Sequence, residues 1–346
     1  MRNRLLATLS IVLLALAITG CGSTASQEQA APTAPTTQDA TPVAADQLKV
    51  IATTTIVGDV VRNVGGEAID LTVLLPVGAD PHGFEPAPAD IAAVNSADLV
   101  FINGLELEHF LEPLLENAGG GAPIIAVSDG ITPIEGSEEH EDEHEGEQHA
   151  DGDEGEHEEE QHADGDEHDH GGNDPHTWTD PNNVMVWVDN IQQALSQLDP
   201  ANEQSYAANA TAYKTELQTL DGWIREQVSL VPEDNRKLVT DHAVFGYFAN
   251  RYGFEQTGAV VPGYSTLAEP SAQEIASLED TLQTFGVKAI FVGNTVNKVL
   301  SQRVADDLGI RLVQIYTGSL SAADGPAASY LDYMRYNTEA IVNALQ

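Results

Sequence analysis

From Leu48 onward, short apolar runs rich in β-branched residues alternate with stretches whose apolar side chains recur every three or four positions. The first half predicts strands at Lys49–Thr54, Ile69–Leu75, Asp98–Ile102 and Pro123–Val127, and helices at Ile56–Val64, Pro88–Ser96 and Glu108–Asn117. Ile56–Val64 places Val57, Val60, Val61 and Val64 on one side and stops at Gly65-Gly66, as helices often do. The rhythm resumes after Arg236, with strands at Lys237–Thr240, Gln256–Val261, Val287–Val292 and Ile310–Tyr316. Helices are predicted between and after them at Val244–Tyr252, Ser271–Phe285, Asn297–Leu308 and Ala327–Leu345. This is the order of a parallel sheet covered by helices.

Between the halves, Pro200–Ser229 has no internal proline and repeats Tyr206, Tyr213, Leu217, Leu220 and Ile224 at helical spacing. One helix of that length would measure about 45 Å at about 1.5 Å per residue. The expected fold class is therefore α/β: two βα lobes with parallel sheets, 47–199 and 230–346, joined by one long rigid helix over 200–229.

The first 46 residues follow a different pattern. Arg2 and Arg4 precede an apolar run, Leu5–Ile18, too short to span a bilayer as a helix, which needs about 20 residues. It ends at Ile18-Thr19-Gly20-Cys21, which resembles the lipobox at which bacterial lipoproteins are acylated. Residues 1–20 read as a lipoprotein signal peptide, with Cys21, the chain's single cysteine, as the lipidation site. Residues 21–46, rich in Ser, Thr, Ala, Pro and Gln, read as a flexible tether. The protein is thus expected outside the cytoplasm, held to the membrane by its N-terminal lipid.

Charge changes the picture again. Against 14 basic residues stand 55 acidic ones, for a formal net charge of −41 over 346 residues. A surface so acidic repels nucleic acid and attracts cations. The excess concentrates in 135–172, which holds 19 acidic residues, seven histidines and no lysine, arginine or aromatic residue. Glu147–Glu154 recurs letter for letter as Glu160–Glu167. This composition builds no core, and the segment reads as a disordered insertion in the first lobe. Its histidines, His140, His144, His149, His157, His162, His168 and His170, read as an auxiliary metal loop, a low-affinity collector or sensor.

Three further histidines lie in turn-like settings. His82 stands in Asp80-Pro81-His82 after a predicted strand, His176 in Asp174-Pro175-His176 just past the insertion, and His242 directly beyond Lys237–Thr240. Ligand sites of open α/β sheets lie at the carboxyl ends of strands. The Asp-Pro step biases the backbone toward a turn that can hold an imidazole outward. A lone histidine is most often structural. Two Asp-Pro-His triplets and a third histidine opening the second lobe point instead to a shared metal, since imidazole is a good zinc ligand. His109 lacks such a setting and reads as a surface residue.

From Leu48 to its end the chain resembles the metal-specific solute-binding proteins of bacterial ABC importers, which serve zinc and manganese. The resemblance rests on Asp80-Pro81-His82 with Phe84-Glu85-Pro86, on Asp174 through Trp178, and on Thr240 through Ala243 with Phe245 through Phe248. Glu269-Pro270-Ser271 and Gly325-Pro326 through Asn337 also fit. It implies a metal site in the cleft between the lobes, with His82 and His176 from the first and His242 from the second. Manganese-type members commonly have glutamate at the position of His242, so a histidine favours zinc. Many relatives place a carboxylate ligand near the start of the last loop, where this chain has Gly318. The fourth ligand is then expected to be water, with Glu269 or Asp324 as alternatives.

The function implied is capture of Zn²⁺, as transported ligand, and its delivery to an ABC permease and its ATPase. The protein would act as a monomer, by binding and release without covalent chemistry. A manganese- or iron-binding member of the same class, a zinc-dependent hydrolytic enzyme and a metal-binding adhesin are the alternatives. No general base or substrate pocket for an enzyme stands out in the sequence.

Overall fold

Two four-stranded parallel sheets with the same strand order frame the molecule. The computed structural model describes residues 47–111, 121–136 and 172–346. The first sheet comprises β1 (Leu48–Ala52), β2 (Ile69–Val73), β3 (Leu99–Ile102) and β4 (Ile124–Ala126), in the order β2-β1-β3-β4. The second comprises β5 (Lys237–Thr240), β6 (Glu255–Ala259), β7 (Ala289–Val292) and β8 (Arg311–Gln314), in the order β6-β5-β7-β8. In each, the chain leaves a central strand, pairs on one side and then crosses to the other. That reversal opens a crevice at the carboxyl ends of the strands.

Period-two alternation explains why both faces of each sheet are covered. Val50, Ala52, Leu99 and Phe101 face one large core, which also receives Leu238, Ala289 and Phe291 from the second sheet. Ile51 and Val100 face the opposite way, onto Leu74, Leu75, Val94 and Leu111. Val239 and Ile290 do the same in the second lobe, onto Leu282, Val287 and Val304.

The helices are α1 (Thr55–Gly65), α2 (Pro88–Asn95), α3 (Pro181–Leu198), α4 (Glu203–Val228), α5 (Gly246–Tyr252), α6 (Ala272–Phe285), α7 (Val299–Leu308) and α8 (Tyr330–Leu345). The connecting helix α4 buries Tyr206, Ala210, Tyr213, Leu217, Leu220, Ile224 and Val228 along one stripe. It packs on α1, α3 and α8, so it forms part of the shared core as well as linking the lobes. The last helix also returns to the first lobe, where the Tyr330 amide donates to Asp59 Oδ2 at 3.0 Å.

Several boundaries differ from the sequence reading. Helix α4 begins at Glu203 because Pro200–Asn202 forms a separate 3-10 turn. In place of the first turns of the helix expected at Glu108–Asn117, the described residues show a 3-10 turn at His109–Leu111; 112–120 lie outside them. Helix α3 was not anticipated, although its signals are present. Asp180 caps it by accepting from the Asn182 amide at 2.9 Å, Pro181 occupies its first turn, and Val184, Trp187, Val188 and Ile191 line its buried face. Residues 1–46, with Cys21, and residues 137–171, with the seven loop histidines, lie outside the described residues. Among the described residues no helix is long and apolar enough to cross a membrane.

Candidate metal centre

Each of the three histidines is shaped by an aspartate one or two residues before it. In the loop after β2, Asp80 Oδ1 accepts the His82 amide at 3.1 Å. Ahead of α3, Asp174 Oδ1 accepts both the amide of His176, at 2.9 Å, and its Nδ1, at 2.8 Å. At the carboxyl end of β5, Asp241 Oδ1 does the same for His242, at 2.8 and 2.7 Å. An Nδ1–H donated to a carboxylate fixes the tautomer and leaves Nε2 with a bare lone pair.

Those Nε2 atoms converge. His176 Nε2 lies 3.2 Å from that of His82 and 3.3 Å from that of His242. All three ligand atoms stand within 4.8 Å of one another, and no other side chain among the described residues joins the group. His176 and His242 are buried and His82 is half-buried. Burial pushes the imidazole of His82 well below the ordinary histidine range, helped by the positive charge its two neighbours would carry. Burial, then the same repulsion from His242, does so for His176. The neutral, metal-competent form is therefore favoured at both.

Supporting contacts come from both lobes. Asp241 Oδ2 accepts the Gly293 amide at 2.6 Å, from the loop after β7. The indole of Trp178 donates to Thr317 O at 3.2 Å and to Tyr333 Oη at 3.1 Å. Asn103 donates its side-chain amide to Pro175 O at 2.9 Å, fixing the Asp-Pro-His turn from beneath. Asp174 Oδ2 is buried without a hydrogen-bond partner, and burial raises that carboxyl to about 7. Gly246 lies so close that a Cβ there would sit 2.5 Å from Asp174 Oδ2.

The two ends of the 137–171 segment meet beside this site. Glu135 pairs with Asn173 in an antiparallel bridge, and the Asp174 amide donates to Ile134 O at 2.8 Å. Tyr247, from the second lobe, grips both sides: its hydroxyl donates to Asp174 O at 2.8 Å and accepts the Ile134 amide at 3.2 Å.

Glu269 and Asp324, the alternative fourth ligands, are both exposed and stand outside the histidine group. Gly318 abuts the first histidine loop, since a Cβ there would lie 2.7 Å from Pro81 Cδ. His109 is exposed. The three imidazoles singled out from the sequence are brought together. Sequence reasoning gave the aspartates no role beyond turn formation, although an Asp precedes every one of the three.

Comparison with known proteins places this arrangement. Residues 50–344 match the family model described as zinc-uptake complex component A, periplasmic. The chain belongs to this family of metal-binding components of ABC transporters, which bind a substrate rather than convert it. Among its relatives is the manganese-binding lipoprotein MntA of Halalkalibacterium halodurans, 31% identical over 97% of this chain and 96% of that one. Another is the iron ABC transporter substrate-binding lipoprotein MtsA of Streptococcus pyogenes, 30% identical over 87% and 89%. A Mn-bound periplasmic metal binding protein from Candidatus Liberibacter asiaticus superposes with a TM-score of 0.71 at 26% identity, over 87% of this chain and all of that one. The periplasmic zinc binding protein TroA from Treponema pallidum, 23% identical with a TM-score of 0.72 over 86% and 99%, shares the fold.

Proposed function

We propose that the protein captures Zn²⁺ through the Nε2 atoms of His82, His176 and His242, with water as fourth ligand, and passes it to an ABC permease driven by its ATPase. The observation that carries this reading is the spacing of the imidazole nitrogens. A tetrahedral ion with bonds of about 2.0–2.1 Å needs ligand atoms about 3.3 Å apart, against about 2.9 Å for an octahedral shell of the same bond length. Two of the three separations, at 3.2 and 3.3 Å, agree with the first, and all three lie within 4.8 Å. Two bare lone pairs facing each other at that distance also repel, and a cation between them turns the repulsion into attraction.

Cys21 is proposed as the lipid attachment, with residues 1–20 removed and 21–46 as the tether. This agrees with relatives whose names call them lipoproteins. The seven histidines of the insertion are proposed to collect zinc loosely next to the cleft, because the chain on either side of that segment pairs at Glu135 and Asn173, three residues from His176. The boundaries 47–199, 200–229 and 230–346 are proposed for the lobes and their connector.

Manganese or iron as cargo is the second reading, favoured by the names of the relatives MntA and MtsA. A competition titration of Zn²⁺ against Mn²⁺ and Fe²⁺ decides between them. It uses the lipid-free chain with the seven loop histidines changed to glutamine, so that length and the Glu135–Asn173 bridge are retained. One tight site preferring zinc and abolished by His242→Ala is expected. Preference for Mn²⁺ or Fe²⁺ would establish the second reading, and a tight site indifferent to His242 would overturn both.

A further inference from the structure

Of the three aspartates, Asp80 is placed differently. Asp174 and Asp241 each hold an imidazole Nδ1, but Asp80 holds only the His82 backbone, and its Oδ2 accepts the hydroxyl of Thr266 at 2.6 Å. Thr266 lies in the other lobe, 186 residues along the chain. Among the described residues His82 is therefore the one imidazole of the three whose Nδ1 no carboxylate holds. Its position depends on the loop carrying it, and that loop is tied to the second lobe through Thr266 at Asp80 and through Ser319, whose hydroxyl accepts the Gly78 amide at 2.8 Å.

The loop that supplies Thr266 joins β6 to α6 and passes close to all three histidines. Gly263 O accepts the amide of Ala243, next to His242, at 3.0 Å. The Tyr264 ring centroid lies 6.4 Å from that of His176. Leu267 packs on Gly83, where an added Cβ would stand 3.2 Å from its Cδ2, although the leucine is itself 66% exposed. The edge where Thr266 meets Asp80 is thus thinly covered. His176, by contrast, is followed by Trp178, whose indole is anchored on Thr317 and Tyr333. For the ion to leave, the bond pattern makes His82 the first ligand to let go.

We propose that Thr266 is a positioning residue for metal retention: its hydrogen bond to Asp80 holds the His82 loop against the second lobe, and breaking that bond is the first step of release. The proposal rests on the three-histidine reading. A half-buried hydrogen bond to a charged carboxylate corresponds to about a tenfold change in release rate.

Co²⁺ is the probe, because a tetrahedral site gives it an intense visible band that loop histidines with mixed water ligation do not. The full mature chain is loaded with one equivalent of Co²⁺, chased with excess EDTA, and the decay of the band is followed. Thr266→Val removes the hydroxyl at nearly constant volume and is expected to release Co²⁺ about tenfold faster, from a starting band like that of the parent. Thr266→Ser keeps the hydroxyl and should release at the parent rate. An unchanged rate in Thr266→Val, or equal acceleration in both variants, would overturn the positioning role while leaving the histidine site standing. A band that survives His82→Ala, or none in the parent, would overturn the three-histidine reading and this role with it.

Discussion

Gly293 donates its amide to Asp241 at 2.6 Å, and through that carboxylate it governs where the imidazole of His242 points. The position admits no side chain: a Cβ on Gly293 would meet Thr317 Oγ1 and stand 3.0 Å from Asp241 Oδ2. Orientation of the His242 imidazole is thus set through one carboxylate by the loop after β7.

Asp241→Asn should accordingly weaken zinc binding by about 10- to 100-fold, the usual effect of losing a carboxylate that orients a ligating imidazole. Gly293→Ala should weaken it in the same direction by displacing the carboxylate. Both are read by competition against a zinc indicator, with circular dichroism as the check on folding. Parent-like affinity in Asp241→Asn would mean that the Asp241–His242 contact does not tune the site.

Gly318 stands where the resemblance to metal-specific solute-binding proteins implies a carboxylate ligand. Gly318→Asp is expected to lose zinc affinity here rather than gain it, because its Cβ would press on Pro81 at 2.7 Å and push the His82 turn outward. Isothermal titration of the variant tests this, and a tighter site would show that the backbone yields enough to admit a fourth protein ligand.

His82 and His176 should also resist acid. Binding requires neutral imidazole, and a proton competes only once the pH falls through the pKa of the folded, metal-free protein. Burial and neighbouring imidazoles hold His82 and His176 well below 6.5. Neither therefore takes up a proton as the pH falls from 7.5 through 6.5. Retention of zinc against a fixed chelator, corrected for the chelator's own protonation, should lose nothing to protonation of His82 or His176 between pH 7.5 and pH 6.5. Half-release above pH 6.5 would contradict the shifts.

Glu108 predicts a pH effect on stability. Its carboxylate accepts Thr53 Oγ1 at 2.8 Å and the amides of Asn103 and Gly104 at 2.6 and 3.1 Å. These contacts hold a turn in which Gly104, Leu105 and Glu106 all have positive φ. Complete burial outweighs those donors and raises the carboxyl from 4.5 to about 7. A raised acid pKa means that the native state holds a proton the unfolded chain has lost, so stability falls as pH rises from 4.5 to 7, by up to about 3 kcal/mol. Glu108→Gln cannot ionise. Its stability relative to the parent should improve by that order between pH 5 and pH 7.5 in urea unfolding, whereas a constant difference would place the ionisation elsewhere.

Local chemistry is legible in this sequence wherever a periodic pattern or a short motif encodes it. The βα alternation reads directly because strand residues such as Val50, Ile51 and Ala52 are apolar on both faces, and because helices such as α1 keep one apolar stripe. The ligand types read as well, since an imidazole next to Asp-Pro is unusual enough to notice. Helix α3 is equally legible from Asp180-Pro181 and its spacing of Val184, Trp187, Val188 and Ile191. What no local pattern contains is distance. His82, His176 and His242 lie 94 and 66 residues apart along the chain, and only the packing of the two lobes, with α1, α3 and α8 gathered on α4, brings their nitrogens to 3.2 and 3.3 Å. A threonine in a loop carries no sequence signal at all. Thr266 gains meaning only from the Asp80 oxygen that the tertiary structure sets against it, because a cross-lobe hydrogen bond depends on where two distant backbones meet and not on the residues beside either one.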